Sequence, residues 1–263
     1  MDVTSLGFQT DLMIRGLEGS EIIDHPDYVT VRSPANPEFW WGNFLLLPAQ
    51  AAHGPAAPWL DLFHAEFPGA GHLALGLDGT SDPGSGLNGF TATGLEVNRE
   101  TVLTAPALQE PPRPNRDAVY RPLAGDPDWQ QAVELQVVSD AADGGPATRT
   151  FTEARYAARR RATDAGHGAW FGAFRDGELV SQLGIFSAQG PLARYQDVGT
   201  HPAARRQGLA GKLVWWAGQY AFEELGASTL VILADPGEAA IRIYRSVGFT
   251  DRETQLSLQR APS

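Results

Sequence analysis

The sequence predicts an α/β fold (α+β with a mixed sheet) in two units, and three observations carry that expectation. Strand-like and helix-like stretches alternate through the second half of the chain, as in a sheet with helices packed on it. A run of prolines interrupts the chain near its middle. With 263 residues, 43% of them hydrophobic and 19% charged, the chain can bury one large core or two ordinary ones and is too apolar for disorder.

Composition narrows the function. Twenty basic residues stand against 31 acidic ones, a net charge of −11, and Lys212 is the sole lysine. Nucleic acid needs a basic face that this balance does not supply, so no nucleic-acid partner is expected. Cysteine is absent, which excludes a disulfide framework, a thiolate nucleophile and a sulfur-ligated metal, and accords with a reducing compartment. No apolar run approaches the ~20 residues that span a bilayer, and the acidic start MDVTSLGFQTD is no signal peptide. A soluble cytoplasmic protein without a membrane partner is expected.

In the first half, residues 28–32, 39–47 and 72–77 read as strands, with a helix over 58–67 and a further strand over 89–97. Phe39, Trp40, Trp41 and Phe44 include neighbours that must face opposite sides of a strand, so core packing explains most of them. The alternative is an acceptor pocket in which Trp40 or Trp41 meets a substrate cation. The histidines at 25, 53, 64 and 72 lack metal-ligand spacing, and no metal is expected. Prolines at 106, 111, 112 and 114 forbid a helix or central strand, which sets the domains as 1–104, a linker over 105–116, and 117–263. The net charge is −9 before residue 117 and −2 from there on. Solubility explains that asymmetry, and attraction of a cationic substrate is the other reading.

The second half opens with a strand over 119–123, a helix over 126–139, and a second helix over 152–165 that Thr152 and Glu153 could start. Strands over 169–174 and 179–186 flank Asp176-Gly177, a hairpin signal. A strand over 194–200 ends at His201-Pro202. The helix of residues 209–225 has one apolar face, made by Leu209, Leu213, Trp216, Ala217 and Tyr220, and stops at Gly226. A strand over 229–234 and a helix carrying Tyr244 follow, closing at Gly248-Phe249.

Between strand and helix stands Arg205-Arg206-Gln207-Gly208-Leu209-Ala210. Small residues in a first helical turn let free backbone N–H groups approach an anion, and the helix dipole and two arginines favour negative charge there. Tight helix packing with solvated arginines explains the same residues. A P-loop lacks its Gly-Lys-Ser/Thr here, and the Rossmann glycine pattern is absent from this position.

The order strand, Arg-x-x-Gly-x-Ala, helix, strand, Ala-x-x-Ile-Tyr-x-x-x-Gly-Phe resembles the GNAT N-acetyltransferase superfamily over residues 117 to about 258. That resemblance implies the acyl-CoA N-acyltransferase fold and acetyl-CoA as acyl donor. Tandem copies occur in the superfamily, so residues 1–104 are expected to be a degenerate second copy or an accessory domain. No Arg-x-x-Gly-x-Gly/Ala turn precedes the linker, and that half is expected to bind no CoA.

Carried over residue by residue, Arg205 and Arg206 lie by the pyrophosphate, and Gln207, Gly208, Leu209 and Ala210 present amides to it. The main chain of Val198, Gly199 and Thr200 faces the pantetheine arm and the thioester oxygen. Tyr244 stands near the thioester sulfur, where a neutral phenol can protonate a departing thiolate. Gly237 replaces the asparagine frequent in the family. The place of the family's strand carboxylate falls near Arg194, Tyr195 and Gln196, none of them acidic. Asp197 is the adjacent candidate base, although strand alternation turns it away from Val198 and Thr200 and favours a structural role. A water chain or a base from elsewhere is the other expectation.

The leading functional reading is an N-acetyltransferase in which a small-molecule primary amine attacks acetyl-CoA directly, without an acyl-enzyme. The alternatives are a non-catalytic CoA-binding sensor or scaffold of the same fold, and an interaction protein that uses the Trp-rich first half.

Overall fold

A computed structural model describes residues 1–37, 39–143 and 148–261. It divides into two units. The first takes the described residues of 1–102, 233–236 and 251–263, and the second those of 103–232 and 237–250.

The first unit begins with α1 (Leu6–Glu18). Buried Asp78 holds its start, accepting from Thr4 N at 2.8 Å, Ser5 N at 3.0 Å and Ser5 Oγ at 2.6 Å. Gly19, at φ +93°, ends it in a left-handed cap. Then come β1 (Glu21–Asp24), β2 (Val29–Arg32), a 3-10 turn (Trp40–Gly42), β3 (Phe44–Pro48), a second 3-10 turn (Ala49–His53), α2 (Ala57–Glu66), β4 (Leu73–Asp78), α3 (Asn88–Thr91) and β5 (Glu96–Ala105, its last three residues in the second unit). The pairs β1–β2 and β2–β3 are antiparallel, whereas β3 and β4 run parallel with Leu45 opposite Leu75 and Leu47 opposite Leu77. Period-two alternation sends Leu45, Leu47, Leu75 and Leu77 into a core with Phe63 and Phe90, and Phe44, Leu46 and Ala74 into a second one with Phe8.

The second unit comprises β6 (Val119–Pro122), α4 (Gly125–Ala142), α5 (Arg149–Asp164), β7 (Gly168–Arg175), β8 (Glu178–Phe186), β9 (Leu192–Thr200), α6 (Leu209–Glu223), β10 (Thr229–Ala234, its last two residues in the first unit) and α7 (Ala240–Ser246). Its strands lie in the order β10-β9-β8-β7-β6, all antiparallel except β9 with β10. Asp176 and Gly177, at φ +51° and +84°, make the hairpin turn that their sequence signals.

The last strand, β11 (Thr250–Arg260), pairs antiparallel with β4, Leu256 opposite Leu77 and Leu258 opposite Leu75. Residues 251–261 therefore complete the first unit's sheet, whereas the sequence placed the second domain to residue 263. The linker residues 105–116 fall within the second unit.

Three local expectations change. Residues 40–42 form a 3-10 turn, and the strand begins only at Phe44, because Asn43 closes a loop by donating to the carbonyls of Asn36 and Phe39 and accepting from Ser33 N. Residues 88–91 are helical, and the strand there starts at Glu96. Helix α5 starts three residues before Thr152, capped by Thr148, which accepts from Phe151 N. Helix α1 and strands β1 and β11 carry no sequence expectation.

Candidate functional site

Strand β9 bends where the site begins. Opposite β8, Gln182 faces Gly199 while Gly184 faces Gln196, so β9 carries an extra residue in a bulge. Within it Asp197 sits at φ +43°, a left-handed conformation that a non-glycine residue adopts only when held there. Two arginines of α5 hold it. Arg155 Nη2 reaches Asp197 Oδ1 at 2.7 Å, and Arg159 pairs with Oδ2. Arg159 is fully buried, its guanidinium lying 5.1 Å from the Trp170 ring centroid and 5.3 Å from that of Tyr156. Sequence reasoning missed both arginines, although their spacing of four puts them on one helix face.

Ahead of the bulge β9 leaves its other neighbour. Its parallel ladder with β10 matches Leu192–Arg194 with Thr229–Val231 and ends there, while β9 continues to Thr200. Val198, Gly199 and Thr200 lie on that extension. Ser181 Oγ donates to Gly199 O at 2.8 Å, and Thr200 O accepts Arg205 Nε at 3.2 Å, so two acceptors on the stretch expected to face a pantetheine arm are engaged.

The turn into α6 carries two left-handed residues, Arg206 at φ +61° and Gly208 at φ +79°. No described residue accepts from the amides of residues 206–211, so these six N–H groups at the helix start have no partner among the described residues. The two arginines differ. Arg205 is committed to Asp143, Nη1 to Oδ1 and Nη2 to Oδ2 each at 2.8 Å, and that guanidinium holds the Asp143 carboxyl below the usual carboxylate range. Arg206 is exposed and makes no ion pair among the described residues. Gln207 is fixed at its side chain, whose Oε1 accepts Arg175 Nη1 at 2.6 Å.

The linker turns out to be a strap along α6. A Cβ on Gly218 would stand 2.3 Å from Leu108 Cδ1, one on Gly211 3.3 Å from Pro111 Cβ, and one on Gly208 2.3 Å from the Arg113 carbonyl oxygen. Gly208 therefore serves two ends, a left-handed turn and a close backbone approach.

Tyr244 lies on α7 at 4% exposure, its ring 6.4 Å from that of Phe249, which is 5.8 Å from that of Tyr195. Burial, with Glu238 adding to it, pushes the Tyr244 phenol well above the usual tyrosine range. Tyr195, pushed the same way, spends its hydroxyl on Val214 O at 2.7 Å. The Tyr244 hydroxyl has no described partner and is not among the sealed polar atoms. At working pH it is a neutral hydrogen-bond donor.

A parallel strand that parts from its neighbour, followed by a helix start with unclaimed amides, is thus built here. Residues 135–249 match the family model described as Acetyltransferase (GNAT) family. Residues 135–249 are thus similar to GNAT acetyltransferase domains. Solved structures extend the likeness over nearly the whole chain. A GCN5-related N-acetyltransferase from Kribbella flavida superposes with a TM-score of 0.66 at 20% identity, over 99% of this chain and 97% of that one. A functionally unknown conserved protein from Staphylococcus epidermidis ATCC 12228 reaches 0.67 at 12% identity, over 93% and 95%. A tandem GNAT protein from the clavulanic acid biosynthesis pathway reaches 0.54 at 13% identity, over 77% and 70%. These identities establish a GNAT fold, and no curated protein matches the chain. The GNAT match supports acyl transfer in general. Among the described residues no cluster of three His, Asp or Glu side chains could hold a metal, and no helix is long and apolar enough to cross a membrane.

Proposed function

We propose that the chain is an acetyl-CoA-dependent N-acetyltransferase of the cytoplasm, acting on the primary amine of a small molecule. One observation carries the reading: six unclaimed amides open α6 at the end of a strand that has parted from its parallel neighbour. The residues present fit a diphosphate. The amides of Gln207, Gly208, Leu209 and Ala210 would hold it, with Arg206 beside them and Arg205 available once its exposed pair with Asp143 opens. The main chain of Val198, Gly199 and Thr200 would line the pantetheine arm.

The chemistry asks little covalent work of the protein. The amine nitrogen bonds to the acetyl carbon, the C–S bond breaks, one proton leaves nitrogen and one reaches sulfur. Amides on the β9 extension would donate to the thioester oxygen as charge develops there, an effect worth a few kcal/mol per donor. Tyr244 would donate to the departing sulfur. Its raised pKa makes it a weaker acid but keeps it protonated. Asp197, gripped by Arg155 and Arg159, would shape the bulge, and water or a base from elsewhere would take the amine proton. The acidic first half supports a cationic acceptor, with net charge −9 before residue 117.

Titration of acetyl-CoA by calorimetry with a thiol-release assay over an amine panel tests the reading: binding and turnover are expected, and no association at millimolar ligand would overturn it. Binding without turnover would favour a CoA sensor, the reading suggested by a β9 whose one carboxylate is already paired. An Asp197→Asn enzyme is expected to keep the shape of its pH–rate profile, and loss of a limb in that profile would make Asp197 the base.

A further inference from the structure

The turn that opens α6 is held from outside the helix. We propose that Asn115, on the strap, is a positioning residue of the diphosphate turn, aiming the Gly208 amide by holding the carbonyl behind it. The inference rests on the reading of that turn as a CoA site.

Asn115 Nδ2 donates to Gln207 O at 2.9 Å. That carbonyl and the Gly208 N–H belong to one planar trans peptide, so they point in opposite directions and fixing one directs the other. Asn115 N adds a longer hold of 3.4 Å on Gly208 O, the carbonyl of the next peptide. Both contacts take carbonyls and leave the N–H side of the turn open. The bracket is itself anchored. Asn115 Oδ1 accepts from Asp117 N and Ala118 N, each at 3.1 Å, and Tyr120 Oη donates to Asn115 O at 3.1 Å. Pro111 packed on Gly211, and Lys212 Nζ bonded to Glu110 at 2.8 Å, seat the strap on the first turn of α6.

The need for such a bracket follows from the turn's own chemistry. Arg206 and Gly208 are both left-handed, and glycine passes between conformations at little cost. A flip of the peptide between Gln207 and Gly208 would exchange a donor for a carbonyl oxygen facing the anion. The Asn115 amide opposes that flip, and it spends no cradle N–H to do so.

Two donors separate positioning from general support: acetyl-CoA, and S-acetylpantetheine, which has the thioester but no diphosphate. Asn115→Asp keeps the oxygen that Asp117 N and Ala118 N need and removes the donor to Gln207 O. Asn115→Ala removes both. For Asn115→Asp, KM and Kd for acetyl-CoA are expected to rise about tenfold, which is about 1.4 kcal/mol, with kcat and the KM for S-acetylpantetheine unchanged. The rise is expected to persist in about 0.5 M salt, where screening to within ~4 Å removes simple repulsion of the new charge. Wild-type behaviour of Asn115→Asp, loss of the effect in salt, or an equal rise for both donors would overturn the proposal. If Asn115→Ala does not fold, the aspartate variant alone decides. A wild-type protein that binds no acetyl-CoA would overturn the CoA reading beneath it, a distinguishable result.

Discussion

In the first unit β3 leads through α2 into parallel β4, and in the second β9 leads through α6 into parallel β10. The crossovers share a topology and differ at the turn. The first unit's ladder runs through Leu45, Leu46, Leu47 and Pro48, to the end of β3, so no stretch of strand is left over. Its connection is a 3-10 turn and two prolines, Pro55 and Pro58, which have no N–H to offer. It holds no arginine. Ala56 O takes the amides of Trp59 and Leu60. The second unit instead leaves β9 unpaired on one side beyond Arg194, and its left-handed Gly208 begins a helix whose first amides stay free. A shared crossover thus supplies a scaffold, and ligand capacity depends on which backbone groups the turn leaves unsatisfied.

The clamp on Asp197 offers the hardest blow to this contrast. Asp197→Ala strands the buried Arg159 guanidinium and is expected to cost about 3 kcal/mol of stability in urea unfolding. Turnover should fall with it, and an undisturbed protein would show that the bulge needs no clamp. Tyr244→Phe comes next, with kcat expected to fall about 100-fold at nearly constant KM for acetyl-CoA, the scale of a lost proton donor. An unchanged kcat would remove Tyr244 from the reaction. The paired glycine variants sharpen the comparison most directly. Gly208→Ala meets both the left-handed penalty of ~1–2 kcal/mol and the Arg113 carbonyl, so acetyl-CoA affinity should drop at least about tenfold. Gly54→Ala, at the first unit's turn, where the nearest atom to a new Cβ is 3.8 Å away, should leave affinity unchanged by calorimetry.

The smallest effect concerns what the units share, a buried carboxylate at the start of the first helix. Asp128 accepts from Ala124 N at 2.7 Å and pairs with Arg121, which holds its carboxyl below the usual range. Because the folded pKa is depressed, this stabilisation is complete above the ordinary carboxylate pKa near 4 and is lost as pH falls through the lower folded value. Asp128→Asn should cost about 1 kcal/mol at neutral pH, discounted for the half-open Arg121. That cost should shrink as the pH falls below 4, and a constant cost would mean that the charge is irrelevant.

Much of this was legible in the chain itself. The strand of residues 229–234, the hairpin at Asp176-Gly177 and the stop at Gly226 are dictated by side chains within a few positions, so local chemistry suffices to find them. The Arg205–Ala210 turn is local as well. The partners of the site are not. Arg159 reads as one more charge on a polar helix, and only its seat between Trp170 and Tyr156 shows that it props Asp197. Residues 39–47 misled because aromatic content resembles a strand, whereas Asn43 folds the chain back before Phe44.

Sequence by itself determined where most helices and strands alternate, where the Arg205–Ala210 turn enters a helix, and that the chain has no cysteine and one lysine. Tertiary structure alone decided that β11 joins β4, that a proline-rich connector becomes a strap over Gly208, and that Asp197 pairs with Arg155 and Arg159. The reason is range: a cap or hairpin is set by neighbours in sequence, but pairing register, burial of a charge and the aim of a free peptide group depend on residues far along the chain that meet only on folding.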